Sequence, residues 1–292
     1  MTTKQKPLKQ DLREVREYHT PSFGLFFKTK KFLYSQTSPY QKIEVIENED
    51  YGRVLLLDGL VQTTERDEFF YHEMLAHPAC VSHPAPQNLL IIGGGDGGAL
   101  KEVLRYPVKQ VSLVEIDAQV IEVSKEFFPW LRPSLEDKRT KLVVADGNEF
   151  IQNREEKFDV ILIDSSDPVG PSTCLHQSDF YKKVRRCLNP KGVVAAQAGS
   201  LLYHLEHIRE KNDFLKKIFK VVRFYMSPVP TYPGGNWCYV FLSDEIDPLV
   251  SIVRKPPSGL KYYNLDIHRA AFALPNFLLV IGDVPPGATL LR

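Results

Sequence analysis

An apolar run that ends in a glycine-rich turn constrains the fold of this chain more than any other feature. The run and turn read Leu89-Leu-Ile-Ile-Gly-Gly-Gly-Asp-Gly-Gly98, and a helical pattern follows from Ala99 to Tyr106. A buried strand, a Gly-x-Gly-x-x-Gly turn and a helix in this order are typical of the nucleotide-binding turn of a Rossmann-like unit. Glycine lets the backbone approach a ligand closely, so we expect Gly93 and Gly95 to line a ligand site.

The aspartate inside this turn, Asp96, disfavours a dinucleotide as the ligand. The pyrophosphate of a dinucleotide would lie on the turn and on the helix N-terminus behind it, where the Asp96 carboxylate would repel it. The turn therefore suits a neutral or a cationic ligand. A simple capping role is the competing interpretation, because Asp often accepts hydrogen bonds at the start of a helix.

Length, charge and cysteine spacing exclude several classes of protein. The chain has 292 residues, with 37 Lys+Arg against 36 Asp+Glu and a formal net charge of +1. It has no long basic stripe of the kind that neutralises a phosphate backbone, which argues against nucleic acid as a partner. The 4 cysteines form no Cys-x-x-Cys pair, so we expect neither a zinc site nor a disulfide framework. No apolar run approaches the roughly 20 residues of a membrane span, and we expect a cytoplasmic protein without a membrane partner.

Two regions with different patterns follow one another along the chain. Short β segments separated by turns occupy residues 23–65 and predict an N-terminal β-strand domain over residues 1–66. A helix is predicted from Asp67 to Ala79. From Leu89 onward strands and helices alternate, which predicts a Rossmann-like, methyltransferase-type catalytic domain over residues 67–292. The expected fold class is therefore α/β, with a doubly wound, mostly parallel sheet behind the small β domain.

Acidic residues follow four consecutive strands of the predicted sheet, at the edge where open parallel sheets bind their ligands. They are Asp96, Glu115, Asp146, Asp164 and Asp167. Each alone is explained by a helix cap or a turn. Together, however, these carboxylates would repel phosphates and attract a cation. Glu115 stands about 22 residues after Gly93, from where a carboxylate accepts the hydroxyls of an adenosine ribose. A sulfonium nucleoside fits this pattern, whereas the charge argues against an NAD-dependent dehydrogenase.

Six motifs carry a resemblance to a known family. They are Asp58-Gly-Leu-Val-Gln-Thr-Thr-Glu-Arg-Asp-Glu68, Tyr71-His-Glu-Met74, Ile91-Ile-Gly-Gly-Gly-Asp-Gly-Gly98, Phe158-Asp-Val-Ile-Leu-Ile-Asp-Ser-Ser-Asp-Pro-Val-Gly-Pro171, Pro230-Thr-Tyr-Pro-Gly-Gly235 and Tyr262-Tyr-Asn-Leu-Asp-Ile-His-Arg-Ala-Ala-Phe272. With them the chain closely resembles the spermidine synthases, the polyamine aminopropyltransferases, from about Phe23 to Phe277. The resemblance implies transfer of an aminopropyl group from decarboxylated S-adenosylmethionine to putrescine, which leaves 5′-methylthioadenosine. It implies no metal and no cofactor, since the nucleoside is a co-substrate.

The resemblance also implies two groups of site residues. The nucleoside would be held by Gln41, Gly93, Gly95, Glu115, Asp146, Gly147 and Pro171. The polyamine would be held by Tyr71, His72, Asp96, Asp164, Ser165, Ser166, Asp167, Gln197 and Tyr232, with Asp164 as the proton acceptor. A homodimer or a homotetramer is implied as the assembly. The chain departs from the family pattern in its tail and at Ala198-Gly-Ser200, a stretch that varies among members with different amine acceptors.

The chemistry leaves the role of Asp164 open. Both substrates are cationic, and the attacking amine must first lose a proton. Between a lysine-like amine of pKa near 10.4 and an aspartate of pKa near 3.9, direct transfer is uphill by roughly 9 kcal/mol. Either Asp164 is desolvated, or the amine loses its proton partly to solvent, or the carboxylate mainly positions the amine.

Other functions stay open at this stage. The acceptor could be agmatine, cadaverine or spermidine, although Ser165-Ser-Asp-Pro168 with Pro230-Thr-Tyr-Pro233 matches the diamine-using branch best. A putrescine N-methyltransferase would keep the same sheet. An idle polyamine-binding protein is the third alternative, against which the intact acidic residues argue. His72 and His77 are five residues apart, one more than a metalloprotease helix requires, so we expect His77 in the core and no metal.

Overall fold

The structure is a computed structural model that describes residues 13–152, 154–166 and 170–278, without the side chains of residues 170 and 171. The chain forms two compact units, Met1–Arg66 and Asp67–Arg292. The divergent tail noted in the sequence, residues 282–292, lies outside the described residues.

The N-terminal unit is built from antiparallel strands. Strand β1 (Glu14–Thr20) pairs with β2 (Phe23–Lys28) in a two-stranded sheet. A four-stranded sheet in the order β3-β4-β5-β6 follows, with β3 (Lys31–Thr37), β4 (Lys42–Asn48), β5 (Gly52–Leu57) and β6 (Leu60–Thr64). The sequence pattern missed β1, because Glu-Val-Arg-Glu-Tyr-His-Thr is mostly polar. This strand is held by its ladder to β2, by Val15 against an apolar core and by the buried Glu17, which accepts from Val61 N at 3.1 Å.

The C-terminal unit contains a seven-stranded sheet in the order β12-β13-β11-β10-β7-β8-β9. Its strands are β7 (Asn88–Gly93), β8 (Gln110–Glu115), β9 (Thr140–Val144), β10 (Phe158–Asp164), β11 (Leu188–Ser200), β12 (Val221–Pro228) and β13 (Asn236–Ser243). The five strands from β9 across to β11 pair in parallel, and β13 pairs antiparallel with both β11 and β12. This topology confirms the predicted mostly parallel sheet.

Helices cover both faces of this sheet. They are α1 (Glu68–Ser82), α2 (Gly98–Val103), α3 (Ala118–Phe127), α4 (Arg132–Leu135), α5 (Gly147–Gln152), α6 (Ser178–Arg186), α7 (Leu205–Ile218) and α8 (Leu265–Ala271), with 3₁₀ turns at Gly170–His176 and Asn276–Leu278. Successive strand residues alternate between two apolar cores: Ile91 joins a core with α1 and α2, and Ile92 joins one with α6 and α7. The fold is therefore doubly wound, as predicted. Within the described residues, every helix is too short or too polar to cross a bilayer.

Helix α1 runs to Ser82, three residues beyond the predicted end at Ala79, and it contains Pro78. A proline has no N–H, so it leaves the carbonyl of the residue four positions earlier without its helical partner. That residue is Met74, and the Tyr225 hydroxyl on β12 donates to the Met74 carbonyl at 3.0 Å. The helix continues because a strand supplies the missing donor.

The C-terminal segment is fixed to the same helix by one carboxylate. Glu73 is buried, and it accepts hydrogen bonds from the backbone N–H groups of Lys261, Tyr262 and Tyr263 at 2.8, 2.9 and 2.7 Å. Tyr263 packs into the core. Helix α1 thereby connects the start of this unit with its last described elements.

The strand order places a topological switch point at β7. From β7 the chain proceeds to β8 and β9 on one side, and it later returns to β10 and β11 on the other side. Ligands of open α/β sheets bind at such a point, beyond the carboxyl ends of the strands. The glycine turn follows β7 and lies in the middle of this edge.

Candidate active site

Predicted site residues line this edge of the sheet in a defined order. From β11 across to β9 they are Gln197, Asp164, the turn Gly93–Gly98, Glu115 and Asp146. Asp164 is the last residue of β10 and pairs with Gly93 at the end of β7. The structure therefore places Gln197 and Asp164 on one side of the turn and Glu115 and Asp146 on the other.

On the nucleoside side, Glu115 is packed against the glycine turn. Its carboxylate accepts hydrogen bonds from Gly95 N at 3.2 Å and from Asp117 N at 3.0 Å. A Cβ at Gly95 would lie 2.7 Å from the Glu115 Cγ, so only glycine leaves room for this approach. Burial raises the pKa of Glu115 to about 7, although the two backbone donors oppose that shift.

The next strand end contributes a cap. Asp146 accepts from Asn148 N at 2.7 Å and from Glu149 N at 3.2 Å, and it begins helix α5. Asp117 caps α3 in the same way through Gln119 N. Capping is thus shown for both aspartates, while the nucleoside contact of Asp146 and Gly147 stays a prediction.

On the amine side, Asp164 receives a short hydrogen bond from helix α1. The Tyr71 hydroxyl donates to Asp164 Oδ1 at 2.6 Å. Burial and the neighbouring Asp96 charge raise the pKa of Asp164 to about 6, against the opposing effects of His72 and of Tyr71. Against an amine of pKa near 10.4, a carboxyl of pKa 6 reduces the uphill transfer from roughly 9 to about 6 kcal/mol. The site therefore makes Asp164 a better proton acceptor than an ordinary aspartate.

Asp96 both caps a helix and faces the pocket side chains. Its Oδ1 accepts from Gly98 N at 3.0 Å, and its Oδ2 lies 3.3 Å from His72 Nε2. One ligand atom each from His72, Asp96 and Asp164 lie within 4.8 Å of one another. The hydrogen bond expected at the start of the helix is thus shown for Asp96 Oδ1, while the contact of Asp96 with an amine stays a prediction.

Gln197 fixes the loop that follows Asp164. Its amide Nε2 donates to the carbonyl of Ser165 at 2.9 Å and lies 3.4 Å from that of Ser166. His176 adds a contact of 3.2 Å from its Nε2 to Ser165 Oγ. Gln197 therefore acts on the loop through its donor group, and its contact with an amine remains a prediction.

Tyr232 is held against Tyr71 by a contact that the sequence reasoning missed. The rings of Tyr71 and Tyr232 have centroids 5.5 Å apart. Asp67, just before α1, accepts from Thr231 N at 3.1 Å and from Thr231 Oγ1 at 2.8 Å. The sequence signal for such a long-range contact is weak, because 164 positions separate Asp67 from Thr231.

Three of the predicted site residues lie either in the N-terminal unit or outside the described part of the chain. Gln41 lies in the N-terminal unit, where Ser38 N donates to its carbonyl at 2.9 Å. Asp167 and the side chain of Pro171 fall outside the described residues. Their assignments stay predictions.

The histidines outside the site have structural partners. His77 is fully buried between Tyr106 Oη at 2.9 Å and Glu102 Oε2 at 3.2 Å, which confirms the expected core histidine. His204 and His207 also have polar contacts. His204 accepts from Ser200 N at 3.1 Å, and His207 Nε2 lies 3.4 Å from the buried His176. Both are half-buried because α7 packs against β11 and the 3₁₀ turn.

Fold and site together define a Rossmann-like enzyme with a cluster of acidic side chains at its switch point. Comparisons with known proteins narrow this class. The model of the spermine/spermidine synthase domain matches residues 68–252, and that of the spermidine synthase tetramerisation domain matches residues 15–65. The chain belongs to the spermine/spermidine synthase family and is a transferase.

Relatives match over nearly their whole length. A polyamine aminopropyltransferase of Moorella thermoacetica is 42% identical over 271 residues, which are 92% of this chain and 96% of the relative. One of Shouchella clausii is 42% identical over 264 residues, 90% and 96% of the two chains. Among solved structures, a spermidine synthase in complex with the transition state analogue AdoDATO has a TM-score of 0.89 at 40% identity, covering 94% of this chain and 98% of that one. The spermidine synthase of Thermotoga maritima has a TM-score of 0.88 at 39% identity, with 96% and 99% covered.

Proposed function

We propose that this enzyme transfers the aminopropyl group of decarboxylated S-adenosylmethionine to putrescine, giving spermidine and 5′-methylthioadenosine. The observation that carries the proposal is the order of side chains at the sheet edge. A carboxylate suited to a ribose, Glu115, lies on one side of the glycine turn, and Asp164 lies on the other. Asp96, in the turn itself, approaches Asp164 and forms with it a pair of carboxylates suited to cations. A sulfonium nucleoside and an amine bound in these two halves would meet above the turn.

In the proposed reaction the amine nitrogen attacks the aminopropyl carbon that is bonded to sulfur. A C–N bond forms, the C–S bond breaks, and its electron pair leaves with sulfur, which becomes a neutral thioether. The nitrogen gives up one proton, and Asp164 is the proposed acceptor, oriented by Tyr71. The carboxylates also offset the repulsion between the two cationic substrates. In this reaction we propose neither a metal nor a cofactor.

The remaining assignments extend these two halves. We assign the nucleoside to Glu115 with Gly93, Gly95, Asp146, Gly147, Pro171 and Gln41. We assign the amine to Asp96, Asp164, Tyr71, His72 and Tyr232, with Ser165, Ser166, Asp167 and Gln197 in the loop region. The family match of residues 15–65 supports a homo-oligomer, dimer or tetramer, which light scattering would distinguish. We place the enzyme in the cytoplasm.

One experiment tests the activity and the acceptor together. The protein is incubated with decarboxylated S-adenosylmethionine and, separately, with putrescine, cadaverine, agmatine and spermidine, and products are identified by mass. We expect the highest kcat/KM with putrescine. A higher value for another amine contradicts the acceptor, and methylated products with S-adenosylmethionine would indicate an N-methyltransferase instead. A parallel reaction with EDTA is expected to run at the same rate.

A further inference from the structure

Three basic side chains lie together behind the loop that follows Asp164. They are His176 in the 3₁₀ turn, and His207 and Lys211 on α7. His176 Nδ1 lies 3.4 Å from Lys211 Nζ and 3.4 Å from His207 Nε2. Lys211 is 1% exposed and His176 is 5% exposed. Burial of an ammonium group is costly unless polar partners compensate for it, so the contacts of Lys211 define its role.

Lys211 contacts both residues that hold the start of this loop. Its Nζ donates to the Gln197 carbonyl at 3.3 Å, and the Gln197 side chain donates to the Ser165 carbonyl at 2.9 Å. Its Nζ also faces His176 Nδ1, and the other ring nitrogen of His176 lies 3.1 Å from the Ser166 carbonyl oxygen. Two successive carbonyl groups of the loop are therefore held by residues that one buried ammonium group contacts.

The partners of His176 determine which of its ring nitrogens carries hydrogen. The Ser166 carbonyl can only accept a hydrogen bond, so Nε2 of the ring carries the hydrogen in this contact. The Lys211 ammonium can only donate, so Nδ1 of the ring offers a lone pair. A neutral imidazole with hydrogen on Nε2 satisfies both partners. Burial and the Lys211 charge lower the pKa of His176 to about 3, which agrees with a neutral ring.

The backbone held in this way continues directly from Asp164. On its other side, the Asp164 carbonyl oxygen lies so close to Gly93 that a Cβ there would be 2.1 Å from it. The Asp164 backbone is thus packed against the glycine turn on one side and held through residues 165 and 166 on the other. A misplacement of about 1 Å in a reacting group can lower a rate roughly 10²-fold, so the placement of this backbone matters for the reaction.

On the basis of the aminopropyl transfer proposed above, we propose that His176 and Lys211 are positioning residues for the reaction. His176 holds the Ser166 carbonyl through its Nε2–H group, and Lys211 holds the ring in the orientation that this contact requires. The carboxylate of Asp164 thereby keeps its direction towards the amine. Neither basic side chain contacts a substrate or takes part in proton transfer. Loss of either should therefore lower kcat and leave nucleoside affinity unchanged.

The contacts of His176 are tested in the ligand-free wild-type protein by the ¹⁵N shifts of its histidine rings, with His176→Phe to assign the resonances. We expect hydrogen on Nε2 alone at pH 6 and at pH 8. Hydrogen on Nδ1 at either pH would overturn the proposal. This measurement needs no turnover, so its result stands even if the enzyme fails to make spermidine.

The positioning role is tested by comparing His176→Gln with His176→Asn. The longer glutamine amide can take the place of Nε2 and donate to the Ser166 carbonyl, whereas the asparagine amide reaches only the place of Nδ1. We expect kcat to fall roughly tenfold in His176→Asn and less than about threefold in His176→Gln. The Kd for 5′-methylthioadenosine, which also reports that the variants are folded, should stay within about twofold of wild type. Equal kcat values in the two variants, or a parallel loss of nucleoside affinity, would contradict the positioning role.

The part played by Lys211 is tested with Lys211→Met, beside Lys217→Met as a control at an exposed position of the same helix. Methionine keeps much of the buried chain and removes the donor. We expect kcat to fall about three- to tenfold in Lys211→Met and to stay at the wild-type value in Lys217→Met. Because both residues act on one loop, Lys211→Met should add less than about twofold to the loss in His176→Asn. Wild-type turnover in Lys211→Met, or full multiplication of the two losses, would overturn the joint role.

Discussion

The two halves of the site hold their carboxylates by different means. Glu115, on the nucleoside side, is held by backbone N–H groups of the glycine turn and of the residues after β8. Asp164 and Asp96, on the amine side, are held in part by side chains of α1, through Tyr71 and His72. Backbone donors are neutral and fixed by the fold, whereas the α1 partners include a charged group whose effect depends on its own neighbours.

Because of this difference, we expect nucleoside affinity to depend on one side of the site and the rate of the reaction on the other. A buried carboxylate that meets only neutral donors keeps a raised pKa, and its task is to accept hydrogen bonds from a neutral ribose. A carboxylate among charged and hydroxyl groups can have its pKa adjusted for proton transfer. We therefore expect substitutions on the two sides to separate nucleoside binding from turnover.

The largest effect is expected for Asp164→Asn. The amide cannot accept the amine proton, so kcat should fall roughly 10²–10⁴-fold, the usual contribution of a positioned acid or base. The affinity for 5′-methylthioadenosine, measured by calorimetry, should stay within about threefold because Glu115 is untouched. Near wild-type turnover in this variant would remove Asp164 from its assigned role.

Glu115→Gln should give the opposite pattern. A carboxylate accepts from two ribose hydroxyls, and a charge-assisted hydrogen bond contributes about 1.5–3 kcal/mol, so the Kd for 5′-methylthioadenosine should rise roughly 10- to 100-fold. At saturating nucleoside, kcat should change little. A loss of kcat equal to that of Asp164→Asn would show that the two sides do not work separately.

Asp96→Asn sharpens the comparison within the amine side. The amide oxygen can still accept from Gly98 N, so the cap survives. The loss of charge should weaken putrescine and decarboxylated S-adenosylmethionine about tenfold, while neutral 5′-methylthioadenosine binds as before. Calorimetric titration with all three ligands decides the matter, since equal losses for charged and neutral ligands would place Asp96 outside the amine half.

The smallest expected effect is on stability, and its sign differs between the halves. The folded-state pKa of Glu115 lies near 7, above its unfolded value near 4.5, so the folded state binds this proton more tightly and stability falls as pH rises through that window. The shift from 4.5 to about 7 corresponds to about 3 kcal/mol at pH 8. Glu115→Gln removes this penalty but weakens the hydrogen bonds to Gly95 N and Asp117 N, so the ligand-free variant should be more stable than wild type by about 1–2 kcal/mol at pH 8 and lose this advantage near pH 5. Denaturant unfolding at both pH values measures it.

Asp96→Asn is the matched control for that experiment. The raised pKa of His72 reflects stabilisation by carboxylates that is present while the ring is protonated. Removing one of them should destabilise the protein at neutral pH, by about 1 kcal/mol or more. A stabilised Asp96→Asn variant would contradict the distinction between neutral and charged partners.

The sequence predicted those parts of the molecule that local pattern determines. The buried run before Gly93 and the alternating strands gave the sheet, because a strand covered on both faces is continuously apolar. The acids at the strand ends could be placed on one edge because parallel strands end together. The extension of α1 through Pro78 could not be predicted, since its donor, Tyr225, is distant in sequence.

The amine side of the site also depends on contacts between residues that are far apart in the sequence. Tyr71 and Asp164 are 93 positions apart, and no periodicity relates them. One local signal was present: Glu68 and His72 are four residues apart on a helix, the spacing at which side chains meet. That spacing alone indicates a contact between Glu68 and His72.

The contact of Glu73 with residues 261–263 has a consequence for the order in which the chain matures during synthesis. The helix that carries Tyr71 and His72 emerges from a ribosome about 190 residues before the three N–H groups that its Glu73 carboxylate accepts. Until then Glu73 has to remain hydrated, because an unpaired carboxylate is costly to bury. In a nascent or truncated chain that lacks residues 261–263, α1 therefore cannot pack fully with Glu73 buried. The amine side of the site, which includes Tyr71 and His72 of this helix, forms only when translation has nearly finished.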